Sequence, residues 1–301
     1  MKNPFSMISN WISARENSAR VLGMNERNLH YIYVHNDRKH FRLADHKLLT
    51  KDILRKAGVP VPETYKVYGS FYELGSLEND LSQYRDFVIK PAQGSGGDGI
   101  IVVAERKGQD WTGISGKRYS VFDFKKHISD IIFGVYSFDL NDQAVIEERV
   151  VQNSWMSALS PLGLADIRVI LCMEEPVMSM TRIPTKASNG KANLHQGAIG
   201  VGIDIESGMT THAIHADNPV SVHPDTGDQV LGLKIPHWDK VIDASRAIAR
   251  AVPLKYLGVD IALTEDGVVV LEINVRPGLQ IQNANMRGLR AALLREGGPD
   301  A

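Results

Sequence analysis

Cysteine is nearly absent: Cys172 is the only one among 301 residues. One thiol excludes an intrachain disulfide and a cysteine-based zinc site, and it fits a reducing compartment such as the cytoplasm. An excess of either charge is also missing. Lys plus Arg number 34 and Asp plus Glu 35, a formal net charge of -1, whereas a protein that grips nucleic acid by bulk charge is more basic. No apolar run is long enough to span a bilayer. The opening residues Met1–Ile12 are broken by polar side chains and lack a secretory core. Neither nucleic acid nor stable membrane insertion is therefore expected. What remains is ordinary globular material, 43% hydrophobic and 23% charged, enough for one large domain or two modest ones.

Internal repeats and low-complexity tracts are absent. Phe5, Ile8, Trp11 and Ile12 stand at helical spacing and read as a packing helix, with a membrane-surface anchor as the alternative. A helix is expected at 46–57, capped by Asp45 and Gly58 and ended by Val59-Pro60-Val61-Pro62. Strands are expected at 64–68, 86–91 and 100–104, then a helix near 122–133. Further strands follow at 143–150, 166–173, 177–183, 198–205 and 209–214. A helix at 237–252 carries Trp238, Val241, Ile242, Ile248, Ala249 and Val252 on one stripe. A hairpin at 257–276 and a helix near 285–295 close the chain. Hairpins mixed with helices point to an α+β fold with two lobes.

Lys90-Pro91-Ala92-Gln93-Gly94-Ser95-Gly96-Gly97-Asp98-Gly99 is the first informative segment. Gly94, Gly96 and Gly99 satisfy a formal G-x-G-x-x-G, which in a dinucleotide fold opens a helix. Here Ile100-Ile101-Val102-Val103 follows, so the pattern is strand–loop–strand. Such a loop lets backbone N–H groups approach phosphate oxygens, and Lys90 can add a cation. A plain glycine-rich turn accounts for the same residues.

The stretch 257–276 holds acids inside apolar strands. Period two puts Glu272, Asn274 and Arg276 on one face, with Leu271, Ile273 and Val275 on the other. A three-residue loop, Glu265-Asp266-Gly267 with the glycine left-handed, pairs Thr264 with Val268 and hence Asp260 with Glu272. Two facing carboxylates repel unless a cation sits between them, and Asn274 adds a neutral oxygen. Magnesium carrying nucleotide phosphates suits that set. The competing reading, an exposed acidic edge, explains Glu265 and Asp266 better than Asp260 and Glu272.

Asp166 and Arg168 alternate onto one face of their strand. With Glu174-Glu175-Pro176 as the loop, Arg182 falls opposite Arg168. Opposed arginines call for an anion, either a phosphoryl group or a substrate carboxylate, or else for salt bridges to Asp166 and surface acids. Between the strands at 177–183 and 198–205 runs a polar loop, 186–198. Its Asn193 and His195 suit phosphate, metal or substrate, or a turn. His212, His215 and His223 read as surface or core residues.

Taken in order, Lys47, Lys90 with the glycine loop, Ile146-Glu147-Glu148-Arg149-Val150, Asp166-x-Arg168, Arg182, Asn193-Leu194-His195-x-Gly197, Asp260 and Glu272-x-Asn274 form a set that resembles the ATP-grasp superfamily. Within it the set resembles the RimK-like α-L-glutamate ligases, most of all the glutamate-ligase-related branch also called sugar-transfer-associated ATP-grasp proteins. The resemblance implies an ATP-grasp fold of two α+β lobes, here at 45–140 and 141–301, and leaves 1–44 to a helical arm. It implies ATP held by Lys47, Lys90 and the loop residues Gly94, Ser95, Gly96 and Gly97, with Glu147, Glu148, Arg149 and Val150 as the adenine hinge and Asn193 and His195 nearby. Asp260, Glu272 and Asn274 match the family's magnesium ligands, for two ions, with manganese as an alternative. Arg168 and Arg182 match positions facing the γ-phosphate and the reacting carboxylate. Arg276 matches an arginine that stabilises the intermediate. The implied reaction joins a small-molecule or peptide acid to an amine through an acylphosphate. A phosphotransferase and a nucleotide-gated binding module are the alternatives. Only 44 residues precede Asp45, fewer than the extra domain of typical RimK-like enzymes, and the expectation there is a helical arm or a homodimer contact.

Overall fold

The computed structural model describes residues 20–94, 96–108, 110–137 and 140–295. The packing helix expected at residues 5–12 lies outside them. The chain is α+β, with two antiparallel sheets. Its contacts divide it into two compact units: a smaller one of Asp45–Lys51 and Val61–Val151, and a larger one of Met1–Ala44, Asp52–Pro60 and Gln152–Ala301.

The smaller unit contains β1 (Thr64–Tyr68), β2 (Phe87–Pro91), β3 (Ile101–Lys107), β4 (Asp110–Gly113), β5 (Arg118–Tyr119) and β6 (Ala144–Glu147), in the order β1-β6-β2-β3-β4-β5. The helix expected near 46–57 is α1 (Lys47–Lys56), and Gly58 beyond it adopts φ 71°. A short helix not foreseen, α2 (Leu77–Ser82), packs beside α3 (Val121–Ile132). The α3 helix begins in a capping box between Ser120 and Asp123, which satisfies two otherwise unpaired backbone donors. Its inward residues Phe124, Ile128 and Ile131 are buried against the sheet. Phe87, Trp111 and Phe124 meet edge to face there, with ring centroids 5.5–6.5 Å apart. The glycine loop joins β2 to β3, which pair antiparallel. It is the strand–loop–strand element read from Ile100–Val103.

The larger unit is built on β7 (Asp166–Cys172), β8 (Glu175–Ile183), β9 (Ile199–Ile203), β10 (Thr210–His215), β11 (Asn218–Pro219), β12 (Tyr256–Leu263) and β13 (Val268–Asn274), ordered β11-β10-β9-β8-β7-β12-β13. A one-and-a-half-turn helix, α4 (Ser154–Leu159), precedes β7, and its N-terminus is capped by Asn153. The long amphipathic helix α5 (Trp238–Ala251) buries Trp238, Val241, Ala244, Ser245, Ile248 and Ala249. Ile242 of the expected stripe is only half-buried. The single last helix expected near 285–295 is instead α6 (Ile281–Ala284) and α7 (Arg290–Arg295). Met286, at φ 47°, breaks the run between them.

Residues 20–44 pack into this larger unit. Asn36 acts as a short piece of strand: its side-chain oxygen accepts from the Lys255 and Tyr256 N–H groups at 2.7 and 3.0 Å, and its amide donates to Tyr256 O at 2.6 Å. Gln282 ties Leu22 to Leu289 through the same two-sided amide chemistry. Among the described residues no helix is long and apolar enough to cross a membrane.

Candidate active site

In the larger unit, register alone assembles a charged ladder. Across adjacent strands, Gly202 pairs with Met180, Arg168 with Met180, Asp260 with Arg168, and Asp260 with Glu272. One step along, Gly200 pairs with Arg182 and Arg182 with Asp166. Directly opposed residues share a face, so Asp166, Arg168, Arg182, Asp260 and Glu272 all project to one side of the sheet.

Asp260 does face Glu272, but by another route than the sequence suggests. Thr264 and Gly267 exchange backbone hydrogen bonds around a two-residue turn, Glu265-Asp266, and Leu263 pairs with Val268. Gly267 is close to extended, φ 159°, rather than left-handed. The tighter turn shifts the register by one, and a bulge opposite the Asp260–Ile261 step shifts it back. Leu271 is the extra residue, and it is half-buried rather than seated in the core.

The arginines, too, stand in a different register from the one expected. The chain turns at Met173–Glu174, both at positive φ, and β8 carries a bulge. Arg168 therefore opposes Met180, while Arg182 opposes Asp166. The anions between the two guanidiniums are the protein's own carboxylates. Arg168 grips Asp260 bidentately, Nε to Oδ1 at 2.7 Å and Nη2 to Oδ2 at 2.6 Å. Arg182 donates Nη2 to Asp260 Oδ2 at 2.9 Å, Nε to Asp166 Oδ1 at 2.7 Å, and a further bond to Asp166 Oδ2. Two cations and two anions make this core neutral and strongly hydrogen-bonded. Burial alone would push the Asp260 carboxyl up; Arg168 and then Arg182 outweigh it and hold it well below the usual carboxylate range. Asp166 goes the other way, pushed up to about 6, because burial exceeds the help from Arg182.

Glu272 stands half-buried beside this core as an additional negative charge. Asn274 bridges the two predicted metal acids, with Nδ2 at 3.2 Å from Asp260 Oδ2 and 3.4 Å from Glu272 Oε1. Two carboxylates and an amide that can turn its oxygen inward are hard donors of the kind magnesium takes. Among the described residues no three His, Cys, Asp or Glu side chains converge as a metal site. Arg276 is not brought into the ladder; it is exposed, over the Phe41 ring at 5.0 Å.

In the smaller unit two lysines share one carboxylate. Lys90 Nζ lies 2.5 Å from Glu147 Oε1, and Lys51 Nζ binds Oε2 and, at 3.0 Å, Thr64 Oγ1. Their side chains are 5–8% exposed. Burial would raise the Glu147 pKa, but Lys90 and then Lys51 lower it below the ordinary value. The trio carries a net positive charge in low dielectric, a setting that attracts anions. Lys51 was not read from the sequence, although it stands four residues after Lys47 and so on the same helix face.

The glycine loop is pinned at both ends. At its entry Lys47 Nζ donates to Gly94 O at 2.5 Å, and the Gln93 N–H donates to both oxygens of the buried Asp142 at 3.1 Å. At its exit Gly99 O lies 2.8 Å from His127 Nε2, whose other nitrogen faces Tyr136 Oη at 3.4 Å. Between these anchors Gly96 and Gly97 adopt φ 68° and 79°; Ser95 lies outside the described residues. Of the expected hinge, Glu147 is committed to the lysines. The Glu148 N–H donates to Glu63 O at 2.8 Å, Arg149 pairs with Asp86 at 2.8 Å, and Val150 is half-buried. Asn193 caps a 3-10 turn by accepting the His195 N–H at 3.0 Å, which leaves the His195 ring exposed. His223 is a core residue, 3.1 Å from Pro184 O.

A family model described as sugar-transfer associated ATP-grasp matches residues 26–296. Among solved structures, biotin carboxylase from Campylobacter jejuni superposes with a TM-score of 0.52 at 13% identity, over 84% of this chain and 46% of its own. D-Alanine–D-alanine ligase from Bacillus anthracis, complexed with ATP, gives 0.46 at 15% identity, over 83% and 62%. The ATP-grasp ligase PsnB, complexed with a minimal precursor, gives 0.44 at 15% identity, over 87% and 63%. The chain thus spans less than two-thirds of each. Among curated proteins none matches. Likeness at such identity fixes the fold and leaves the chemistry to the site.

Proposed function

The chain belongs to the sugar-transfer associated ATP-grasp family, and from that premise we propose that it is an ATP-dependent ligase joining a carboxylic acid to an amine. The observation that carries this reading is the ladder of Arg168, Arg182, Asp260 and Glu272 on one sheet face, bridged by Asn274. It puts fixed cations beside hard oxygen donors, as transfer of a phosphoryl group to a carboxylate requires.

The site residues divide by the chemical group each could hold. Lys90, held by Glu147, and the backbone of the Gly94–Gly99 loop would receive phosphate oxygens. Glu272, with Asp260 and Asn274, would hold magnesium, which supplies charge neutralisation to the phosphates. Because Asp260 Oδ2 already accepts three N–H donors, Glu272 carries most of that task. Arg168 and Arg182 would spread the charge that develops as a carboxylate oxygen bonds to the γ-phosphorus and ADP departs. The amine nitrogen then bonds to the acyl carbon and gives a proton to solvent, and phosphate leaves with the electron pair of the broken C–O bond.

Hydroxylamine trapping tests this. With ATP, magnesium and a panel of amino acids and small acids, glutamate first, hydroxamate should form with at least one acid. Phosphate release from that acid should rise when an amine is added. A stable phosphorylated product formed without amine would replace the ligase with a kinase.

A further inference from the structure

Within the larger unit lies a cavity of about 450 Å³, lined by Leu194, His195 and Gln196 of the turn before β9, by Ile214 and Asp217 of the β10–β11 hairpin, and by Gln280. That volume is ordinary for a small-molecule site. Its position follows from register. Ile214 pairs with Gly200 and Gly200 with Arg182, so the three positions face the same side of the sheet. Adjacent strands lie about 4.8 Å apart, which puts Ile214 about 10 Å from Arg182. Gly200 contributes no side chain, and Leu194 fills the space: a Cβ on Gly200 would stand 2.7 Å from Leu194 Cδ2. The turn bearing Leu194 therefore covers the sheet face next to Arg182. It is held there by His215 Nε2, 3.1 Å from Gly197 O.

The lining decides the ligand's charge. Its polar side chains are one carboxylate, one imidazole and two amides, with no lysine or arginine among the described residues. A carboxylate entering the cavity meets no fixed cation. An ammonium group meets Asp217, whose side chain has no hydrogen-bond or ion-pair partner among the described residues. Ala216 and Asp217, at φ 47° and 62°, form a tight two-residue hairpin turn. The carboxylate is thus carried on a sheet-anchored turn rather than on a long loop.

Resting on the ligase reading of this face, we infer that the cavity receives the amine substrate, a small primary amine captured as its ammonium ion by Asp217; the ammonium gives a proton to solvent before its nitrogen bonds to the acyl carbon. The acid is left to the arginine ladder, which begins two strands from Ile214.

Two probes of opposite charge test the assignment without turnover: L-alaninamide, an ammonium without a carboxylate, and N-acetyl-L-alanine, a carboxylate without an ammonium. Saturation-transfer NMR on the full chain should detect alaninamide, and N-acetylalanine should not compete with it. Asp217→Asn, which tolerates the left-handed backbone as Asp does, should weaken alaninamide binding about tenfold or more, the loss of one charge-assisted hydrogen bond. Gln280→Trp, which fills the cavity, should abolish the signal with an unchanged melting temperature. Equal competition by N-acetylalanine, or alaninamide binding that survives both substitutions, overturns the inference. Hydroxamate formation by the wild type without Asp217-dependent alaninamide binding overturns it while sparing the ligase reading. No hydroxamate with any acid overturns the ligase reading and this inference with it.

Discussion

Glu147 holds two buried ammonium groups with one carboxylate, and its removal leaves both without their main partner. Glu147→Gln should cost about 3–5 kcal/mol, the usual penalty for breaking a buried pair, read as a lower urea midpoint at pH 7. The sign of the pH effect follows from the lowered pKa. The unfolded chain binds the proton more tightly, so this contribution is complete above the unfolded value near 4.5 and drains away as pH falls through the folded value. The gap in stability between wild type and Glu147→Gln should therefore narrow on acidification below about pH 4.5. Asp260 and Glu272 separate at the same scale. Asp260→Asn strips the shared anion from beneath Arg168 and Arg182 and should unfold the larger unit or lower its melting temperature steeply. Glu272→Ala touches only a half-buried side chain and should leave the fold intact while ending magnesium-ATP turnover. Retained turnover would remove Glu272 from metal binding. Both acids were legible in the sequence, because a charge inside an apolar strand is costly and needs a reason. Their partners were not: the arginines suggested an external anion, and the register that gives them Asp166 and Asp260 depends on a bulge in β8 that no residue pattern announces.

The glycine loop was legible as strand–loop–strand because Ile101–Val103 cannot open a helix. Its anchors were not, since Asp142 and His127 come from distant parts of the chain. These anchors make loop glycines unequal. A Cβ on Gly99, at φ 74°, would stand 2.6 Å from the Tyr136 ring, whereas one on Gly96 meets nothing within 4 Å. Gly96→Ala should cost only the left-handed backbone strain, about 1–2 kcal/mol. Gly99→Ala should also displace Tyr136 and the His127 contact, and calorimetry should find ATP binding weakened more by it than by Gly96→Ala. The β12–β13 hairpin teaches a different lesson. Its Asp260–Glu272 pairing follows from a turn read one residue too long, and the bulge at Leu271 compensates. The hydrophobic alternation at Ile261, Val270 and Ile273 constrained the outcome more tightly than the turn chemistry did.

At the scale of the molecule, nucleotide should act as a stabiliser by mass action. Magnesium-ATP at a hundred times its Kd contributes about 2.7 kcal/mol, enough to raise the melting temperature by about 5 °C. The rise should vanish on addition of EDTA. The α+β class with two lobes was evident from the mix of hairpins and helices. The path of the chain was not: the expected divisions fall at 44/45 and 140/141, whereas the contact units change at 44/45, 51/52, 60/61 and 151/152. Long-range partners such as Asn36 with Tyr256 and Leu22 with Gln282 leave no local trace.

Those same partners order events during translation. Residues 61–151 emerge as one uninterrupted run and can fold as soon as they clear the ribosome exit tunnel. Leu22, Glu26 and Asn36 are made before them yet must wait for Tyr256, Gln282 and Arg290. These early-made residues are therefore among the last to find their places, and stalling before residue 256 would leave them a target for chaperones.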